Sequence, residues 1–266
     1  MRSLPPLGRI GRLGDGLQRP PRLAQVRAPA APALWARGYL QGDGSADALA
    51  FGAIEDVDGV GAVWSRIVLA EAPATAGCVA GTKNEGGAGG IQRIIWDPVE
   101  PDMEGSVFMA APGFAWYGPT AAPASGTLLV LSQTIDRDAG MTYLRSAGSG
   151  GTTAEASQSL PGAHAYGDDA YIGSLVGASL FDGRIWGDIV YLGHPTQAHL
   201  EALLLGREPW RVFSPSLVAR AWCPAAATED KGTITIPDLA PEHGGPFTVR
   251  SATLRNGTLA NIVMPS

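Results

Sequence analysis

Three carboxylates at alternate positions could together catalyse the hydrolysis of a glycosidic bond. Glu100, Asp102 and Glu104 have the E-x-D-x-E spacing, and retaining glycosidases need two carboxyl groups about 5–5.5 Å apart. Pro98 and Pro101 oppose a central strand at this point. We therefore expect a solvated acidic loop and no catalytic residue, and we keep a polysaccharide depolymerase using Glu100 and Glu104 as the least favoured alternative.

The sequence contains only weak patterns for a metal site or a catalytic nucleophile. Asp56 and Asp58 flank a glycine turn as calcium ligands do, but they do not complete the D-x-[DN]-x-[DN]-G loop. The expectation is ordinary turns, with Asp56 and Asp58 as a weak calcium site and no other cofactor. The four histidines have no zinc spacing, and no G-x-S-x-G elbow occurs. The sequence does not predict an enzyme.

Aromatic residues beside acids suggest carbohydrate contact. Trp116 and Tyr117 lie between two prolines, and Tyr166 is followed closely by Asp168 and Asp169. Sugar sites combine an aromatic surface with a few polar groups. These five residues are the candidate carbohydrate-binding residues, and packing or subunit contact is the alternative for each.

The elements that must position these residues are mainly strands. The chain has 266 residues, 45% of them hydrophobic and 17% charged, with 36 glycines and 21 prolines. Short apolar segments between turn signals favour an antiparallel sandwich. The predicted strands are 48–54, 60–70, 91–96, 106–110, 127–134, 140–145, 170–176 and 181–192.

One helix is predicted at 197–205. Thr196 is suited to the N-cap, and Gly206 stands where a left-handed C-cap is common. Leucines at i, i+3 and i+4 from Leu200 form one apolar stripe, so we expect this helix to pack on a sheet as a lid.

The N-terminal segment is basic and proline-rich. Residues 1–37 contain seven arginines and one acid, Asp15. Residues 1–33 have neither the apolar core of a secretory signal nor aromatic residues for stacking bases. We expect an extended arm that contacts other copies of the chain, or else a disordered tail; nucleic acid is not expected as a partner. The candidate arm contacts are Arg2, Leu4, Leu7, Arg9, Ile10, Arg12 and Leu13.

The composition also suggests where the main domain ends. A polar stretch at 225–232 reads as a linker, and strand-like segments resume over 233–266. We therefore expect an arm at 1–33, a sandwich at 34–224 and a linker with a small β appendage at 225–266. Cys78 and Cys223 are expected to be thiols rather than a disulfide.

The segment Phe181-Asp-Gly-Arg-Ile185, with Tyr191 and the helix starting after Thr196, resembles the final strand and helix of laminin G-like, concanavalin A-like jelly rolls. The resemblance covers about residues 38–222 and implies a two-sheet antiparallel jelly-roll sandwich with one short helix. Asp188 departs from it, since the family usually has an apolar residue there. A bulge or register change is therefore expected at Asp188.

The segment Glu208-Pro-Trp-Arg-Val-Phe213-Ser-Pro215 resembles structural proteins of tailed phages and gene transfer particles. This resemblance implies a head spike, decoration or fibre protein whose lectin-like domain contacts host-surface polysaccharide. The protein would then contact other particle proteins and copies of itself as a homo-oligomer, without membrane insertion, in a particle assembled in the bacterial cytoplasm. A purely structural adaptor with no ligand is the alternative. Whatever the family, Trp210 and Phe213 are expected to pack in the core.

Overall fold

The computed structural model describes residues 38–43, 48–53, 63–71, 77–82, 91–97, 102–109, 113–117, 126–148, 153–159, 169–172, 181–230, 233–240, 252–255 and 262–263. The strands are β1 (Tyr39–Asp43), β2 (Ala48–Ala53), β3 (Val63–Glu71), β4 (Gly77–Thr82), β5 (Ile91–Asp97), β6 (Asp102–Met109), β7 (Gly113–Tyr117), β8 (Leu128–Asp136), β9 (Met141–Gly148), β10 (Thr153–Ser159), β11 (Asp169–Ile172), β12 (Asp182–Tyr191), β13 (Val218–Trp222), β14 (Thr228–Asp230), β15 (Thr233–Ile236), β16 (Ala252–Arg255) and β17 (Ile262–Val263). The α-helices are α1 (Gln197–Leu204) and α2 (Pro209–Val212), and short 3-10 helices lie at Pro215–Leu217 and Pro224–Ala226.

The strands form two antiparallel sheets. Sheet A has the order β10-β9-β8-β3-β12-β1-β17, with β13 also paired to β12, and sheet B has the order β14-β15-β16-β2-β11-β4-β5-β6-β7. The sheets face each other, since β3 contacts β4, β5 contacts β8, β6 contacts β9 and β7 contacts β10. The expected all-β antiparallel sandwich is confirmed.

Each of the eight predicted strand segments overlaps a strand of the structure. The prediction omitted β1, β4, β7, β10, β13 and β14. Strand β10, with the sequence TAEASQS, lies at the edge of sheet A, and the side chains described from Glu155 to Ser159 are mostly exposed. An edge strand of this kind buries little and has no apolar alternation for a sequence pattern to reveal.

The C-terminal strands continue the two sheets. Strand β16 pairs with β2 in sheet B, and β17 pairs with β1 in sheet A. Strand β14 lies inside the stretch expected to be a linker. The boundaries at 33 and 224 stay predictions.

Helix α1 covers the outer face of sheet A, which is the face turned away from sheet B. Thr196 caps its first turn, accepting a hydrogen bond from the His199 backbone N–H at 3.3 Å. Gly206 follows the helix with φ of 76°, as predicted for a left-handed C-cap. A buried apolar cluster, the outer core, joins helix and sheet. Its members include Ile67, Leu69, Val130, Ile189, Tyr191, Leu200, Leu203, Phe213 and Val218.

The expected burial of Phe213 is confirmed. Its ring stacks on Tyr191 with centroids 4.1 Å apart, and Trp210 packs partly buried against the same cluster. Cys223 also lies in the outer core as a buried thiol, and burial raises its pKa to about 11.

The F-x-G pattern that carried the family resemblance has a packing reason. A Cβ on Gly183 would lie 2.8 Å from Cε1 of the buried Phe181 ring. Carbon atoms in contact normally stay about 3.5–4.0 Å apart. Glycine at position 183 therefore lets the ring lie flat against the start of β12.

Asp188 forms an ion pair with Arg66 between the two sheets. The Arg66 Nη2 lies 2.6 Å from Asp188 Oδ2, and both side chains are almost fully buried, with 1% and 0% of their surfaces exposed. Burial raises the pKa of Asp188, while the Arg66 guanidinium opposes that rise. The register change expected at Asp188 lies instead between Ile185 and Gly187.

Candidate functional site

The structure separates the residues expected to contact carbohydrate. Trp116 and Tyr117 lie in β7 at the edge of sheet B, and Asp169 is the first residue of β11. Three strands separate β7 from β11, which at about 4.8 Å per strand gives roughly 19 Å. Tyr166 and Asp168 lie outside the described residues. Any sugar contacts at β7 and β11 would therefore be two subsites.

The carboxylates considered for glycoside hydrolysis also have a definite backbone position. Asp102 and Glu104 lie in β6, opposite Asp97 and Ile95 of β5, and Glu100 lies outside the described residues. The expected acidic loop is therefore wrong for Asp102 and Glu104. Both prolines fall outside the strand, so the β5–β6 ladder forms without interruption.

The remaining predicted site residues fall where the structure gives no description. These are Asp56, Asp58 and the arm residues Arg2, Leu4, Leu7, Arg9, Ile10, Arg12 and Leu13. Among the described residues, no group of three or more His, Cys, Asp or Glu side chains could hold a metal ion. No helix in the described part of the chain is long and apolar enough to cross a membrane.

An aromatic pair on the outer face of sheet A is the arrangement best suited to bind a ligand. The rings of Tyr39 in β1 and Trp186 in β12 lie with centroids 5.4 Å apart and planes at 54°. Both side chains are half-buried, and Trp186 packs against the outer core. We call this pair the aromatic platform. Its rings are fixed by packing and also reach solvent.

Regular alternation places Trp186 on this face. Ile185 is buried and lies opposite Leu40 of β1, so its neighbour Trp186 points to the other face, as does Tyr39 next to Leu40. A bulge follows in β12, because Ile185 is opposite Ala70 of β3 and Gly187 is opposite Leu69. The bulge reverses the alternation beyond it, so that Asp188 points inward like Ile185.

Polar groups border the aromatic platform. The Arg184 guanidinium lies over the Tyr39 ring, 5.1 Å from its centroid, and its Nη1 lies 3.4 Å from Glu71 Oε2. The Gln41 amide donates to the Gly183 carbonyl oxygen at 3.4 Å. The platform thus has an apolar surface with a guanidinium, a carboxylate and an amide around it.

A second polar cluster holds the loop of residues 192–196 that precedes α1. Ser65 Oγ donates to the Gly193 carbonyl oxygen at 2.6 Å, and Arg145 Nη1 donates to the Pro195 carbonyl oxygen at 2.8 Å. His194 Nε2 lies 2.8 Å from Asp136 Oδ2 and donates to that carboxylate. Three strands therefore fix the start of the helix.

The electrostatics of Asp136 agree with this structural role. Burial alone would raise the pKa of Asp136, but hydrogen bonds from Ala139 and His194 outweigh it and lower the pKa. Ser65 Oγ is bonded to Thr134 Oγ1 at 2.7 Å as well as to the loop carbonyl. The Ser65 hydroxyl therefore holds the loop in place. The hydrogen bond between His194 and Asp136 has the same structural role.

Sequence patterns did not identify Tyr39, Trp186, Arg184, Glu71 and Gln41 as site residues. The sequence of β12 could have indicated two of them, because Arg184 and Trp186 alternate with the buried Ile185 and so share one face of the strand. Tyr39 is in a strand that the pattern did not predict, and Glu71 is far from both in sequence. Only the pairing of β1 and β3 with β12 brings them together.

Comparisons with known proteins concern the fold. No protein-family model and no curated protein matches the chain. A solved structure of a Bacteroides ovatus protein described as carbohydrate-binding is similar, with a TM-score of 0.56 and 17% identity, over 86% of this chain and 60% of that chain. The chain thus spans 60% of the length of that protein.

Two further solved structures are similar at lower scores. A heptameric SAP-like pentraxin from Limulus polyphemus has a TM-score of 0.46 and 10% identity, covering 65% of this chain and 84% of its own. Mouse laminin alpha1 domains LG4-5 have a TM-score of 0.44 and 12% identity, covering 66% and 47%. The strand order and the Bacteroides ovatus structure together show that this chain has a concanavalin A-like jelly-roll sandwich fold.

Proposed function

We propose that this chain is a non-catalytic carbohydrate-binding protein and that the aromatic platform of Tyr39 and Trp186 is its contact surface. The observation that carries the proposal is the pair of half-buried rings 5.4 Å apart, bordered by Arg184, Glu71 and Gln41. Its fold neighbour from Bacteroides ovatus is described as carbohydrate-binding, which supports the same class of ligand.

The chemistry of the platform suits a sugar ring. A pyranose has an apolar C–H face, which packs on the electron-rich face of an aromatic ring, and hydroxyl groups at its edge, which need hydrogen-bond partners. Glu71 can accept such bonds, and the Arg184 guanidinium and Gln41 amide can donate them. Because the rings are inclined at 54°, one flat sugar face can stack on only one of them. The other ring then contacts the sugar edge or the next residue of the chain.

The test is the loss of glycan binding on Tyr39→Ala. If the stacking of a sugar on Tyr39 is comparable to that of an aromatic pair, about 0.5–1.5 kcal/mol, the dissociation constant for a glycan found on an array should rise by a factor of about 2 to 12. Tyr143→Ala is the matched control, because Tyr143 is also half-buried on the outer face of sheet A and lies under an arginine, Arg145. It should leave the dissociation constant unchanged.

Isothermal titration calorimetry on full-length variants measures the effect, with thermal unfolding confirming that both fold. Absence of binding to every glycan on the array would remove the proposal in favour of the structural adaptor without a ligand. Equal weakening by Tyr39→Ala and Tyr143→Ala would show that the platform is not the contact surface.

The setting of this protein in a phage-like particle is a separate part of the proposal. It is supported by the resemblance of the segment from Glu208 to Pro215 and by the arginine-rich residues 1–37. Multivalent display on a symmetric particle would raise the avidity of weak sugar contacts. Mass spectrometry of purified particles, with adsorption assays on particles lacking the protein, tests this setting independently of the platform.

A further inference from the structure

The charges around the aromatic platform are balanced or negative. Arg184 is the cation that the described structure places there, and Glu71 lies against it at 3.4 Å. Asp182 is exposed on the same strand, two residues before Arg184, and is opposite Asp43 of β1 in register. The guanidinium therefore already has a carboxylate partner, and a second carboxylate, that of Asp182, is close by in sequence.

The net charge of residues 38–266 is also negative and therefore disfavours an acidic ligand. Of 19 Lys and Arg and 25 Asp and Glu, seven arginines and one aspartate lie in residues 1–37. Residues 38–266 thus contain 12 basic and 24 acidic residues, a formal charge of −12. A field of this sign lowers the local concentration of a polyanion and slows its association, most strongly at low salt.

We infer that the platform selects neutral polysaccharide and disfavours acidic polysaccharide such as polyuronate. The inference rests on the proposed function, because it concerns the ligand of the same surface. A neutral pyranose chain needs only the aromatic surface and hydrogen-bond partners that the platform presents. A polyuronate brings a carboxylate with each sugar and must displace Glu71 from Arg184 to find a counter-ion.

The test uses the full chain with dextran and mannan as neutral probes and polygalacturonate and alginate as acidic probes, each at low and high NaCl. Binding through the platform is defined as the part lost on Tyr39→Ala, so that binding at the basic N-terminal residues is not counted. We expect platform binding to the neutral probes with less than about twofold dependence on salt, and weaker platform binding to the acidic probes at low salt than at high salt.

A variant that removes the charge of Glu71 tests the role of its ion pair with Arg184. Glu71→Gln removes the carboxylate beside Arg184 and should raise the ratio of platform affinity for polygalacturonate to that for dextran severalfold. Glu155→Gln is the matched control, because Glu155 pairs in the same way with Arg145, also on sheet A. It should leave this ratio unchanged.

The outcomes separate this inference from the proposed function. Tyr39-dependent binding that is tighter for polygalacturonate or alginate than for dextran or mannan overturns the inference and leaves carbohydrate binding in place. No Tyr39-dependent binding to any of these probes or to the wider array overturns both. An unchanged ratio of the affinities for polygalacturonate and dextran in Glu71→Gln contradicts the role of the Glu71–Arg184 pair in selecting against acidic polysaccharide.

Discussion

Removing Arg66 should destabilise the fold strongly, because it leaves Asp188 as a buried charge without its counter-ion. Arg66 Nε lies 3.2 and 2.9 Å from the two Asp188 carboxylate oxygens, and Nη2 lies 2.6 Å from Oδ2. Breaking a buried pair by removing one partner costs about 3–5 kcal/mol. At about 2–4 °C per kcal/mol for a domain of this size, Arg66→Met should lower the melting temperature by roughly 6–20 °C.

The cost of Arg66→Met should depend on pH. Burial already raises the pKa of Asp188, and without Arg66 the pKa rises further. A carboxyl with a raised folded-state pKa does not penalise folding below its unfolded pKa, near 3.8, and penalises it progressively as the pH rises through the folded value. The excess loss of stability should therefore be small near pH 4 and fullest at neutral pH.

Urea denaturation followed by circular dichroism at acidic and neutral pH measures both effects. Adding Asp188→Asn to Arg66→Met removes the unpaired charge, so the double variant should be more stable at neutral pH than Arg66→Met and lose the pH dependence. Arg211→Met is the surface control, with 75% of the arginine side chain exposed. The reasoning is refuted if Arg66→Met costs the same at both pH values, or if the double variant recovers nothing.

Two smaller effects concern the loop before α1 and the helix cap. Asp136→Asn should cost about 1–3 kcal/mol at neutral pH, because it weakens charge-assisted hydrogen bonds including that of His194. Folding lowers the pKa of Asp136, so the stability that its carboxylate contributes is present above the unfolded-state pKa and is lost as the pH falls through the folded-state pKa. The acid denaturation curves of the variant and the native protein should therefore converge at low pH. Asp138→Asn, exposed on the same hairpin, should have no effect by the same measurement. Thr196→Ala should cost about 1 kcal/mol in urea denaturation, and Thr196→Ser should restore most of it, because the cap needs only a hydroxyl oxygen; equal stability of the two variants would contradict the capping role.

The sequence predicted those elements whose burial leaves a local pattern. The strand at 127–134 contains a continuous apolar run, as is typical of a strand buried on both faces, and the helix at 197–205 repeats apolar residues with the helical period; both are present, as β8 and α1. Thr196 and Gly206 marked the ends of the helix correctly, because capping depends on residues only a few positions apart. The glycine turns between apolar segments were sufficient to indicate an antiparallel sandwich.

The binding surface was not visible in the same way. Tyr39 is separated by more than a hundred positions from Trp186, and their strands become neighbours only when β1 pairs with the first half of β12. Trp116 and Asp169, which local composition had grouped with other candidates, lie on strands separated by three others.

Composition and short-range spacing were enough to predict most of the secondary elements, the acidic character of residues 38–266 and the identity of the cap residues. Strand pairing was needed to establish which aromatic residues meet at the outer face and that Asp188 has a buried arginine partner, because both are contacts between strands distant in the chain. For the same reason, the fold and not the sequence pattern places Glu71 against Arg184, the contact from which the preference for neutral polysaccharide is inferred.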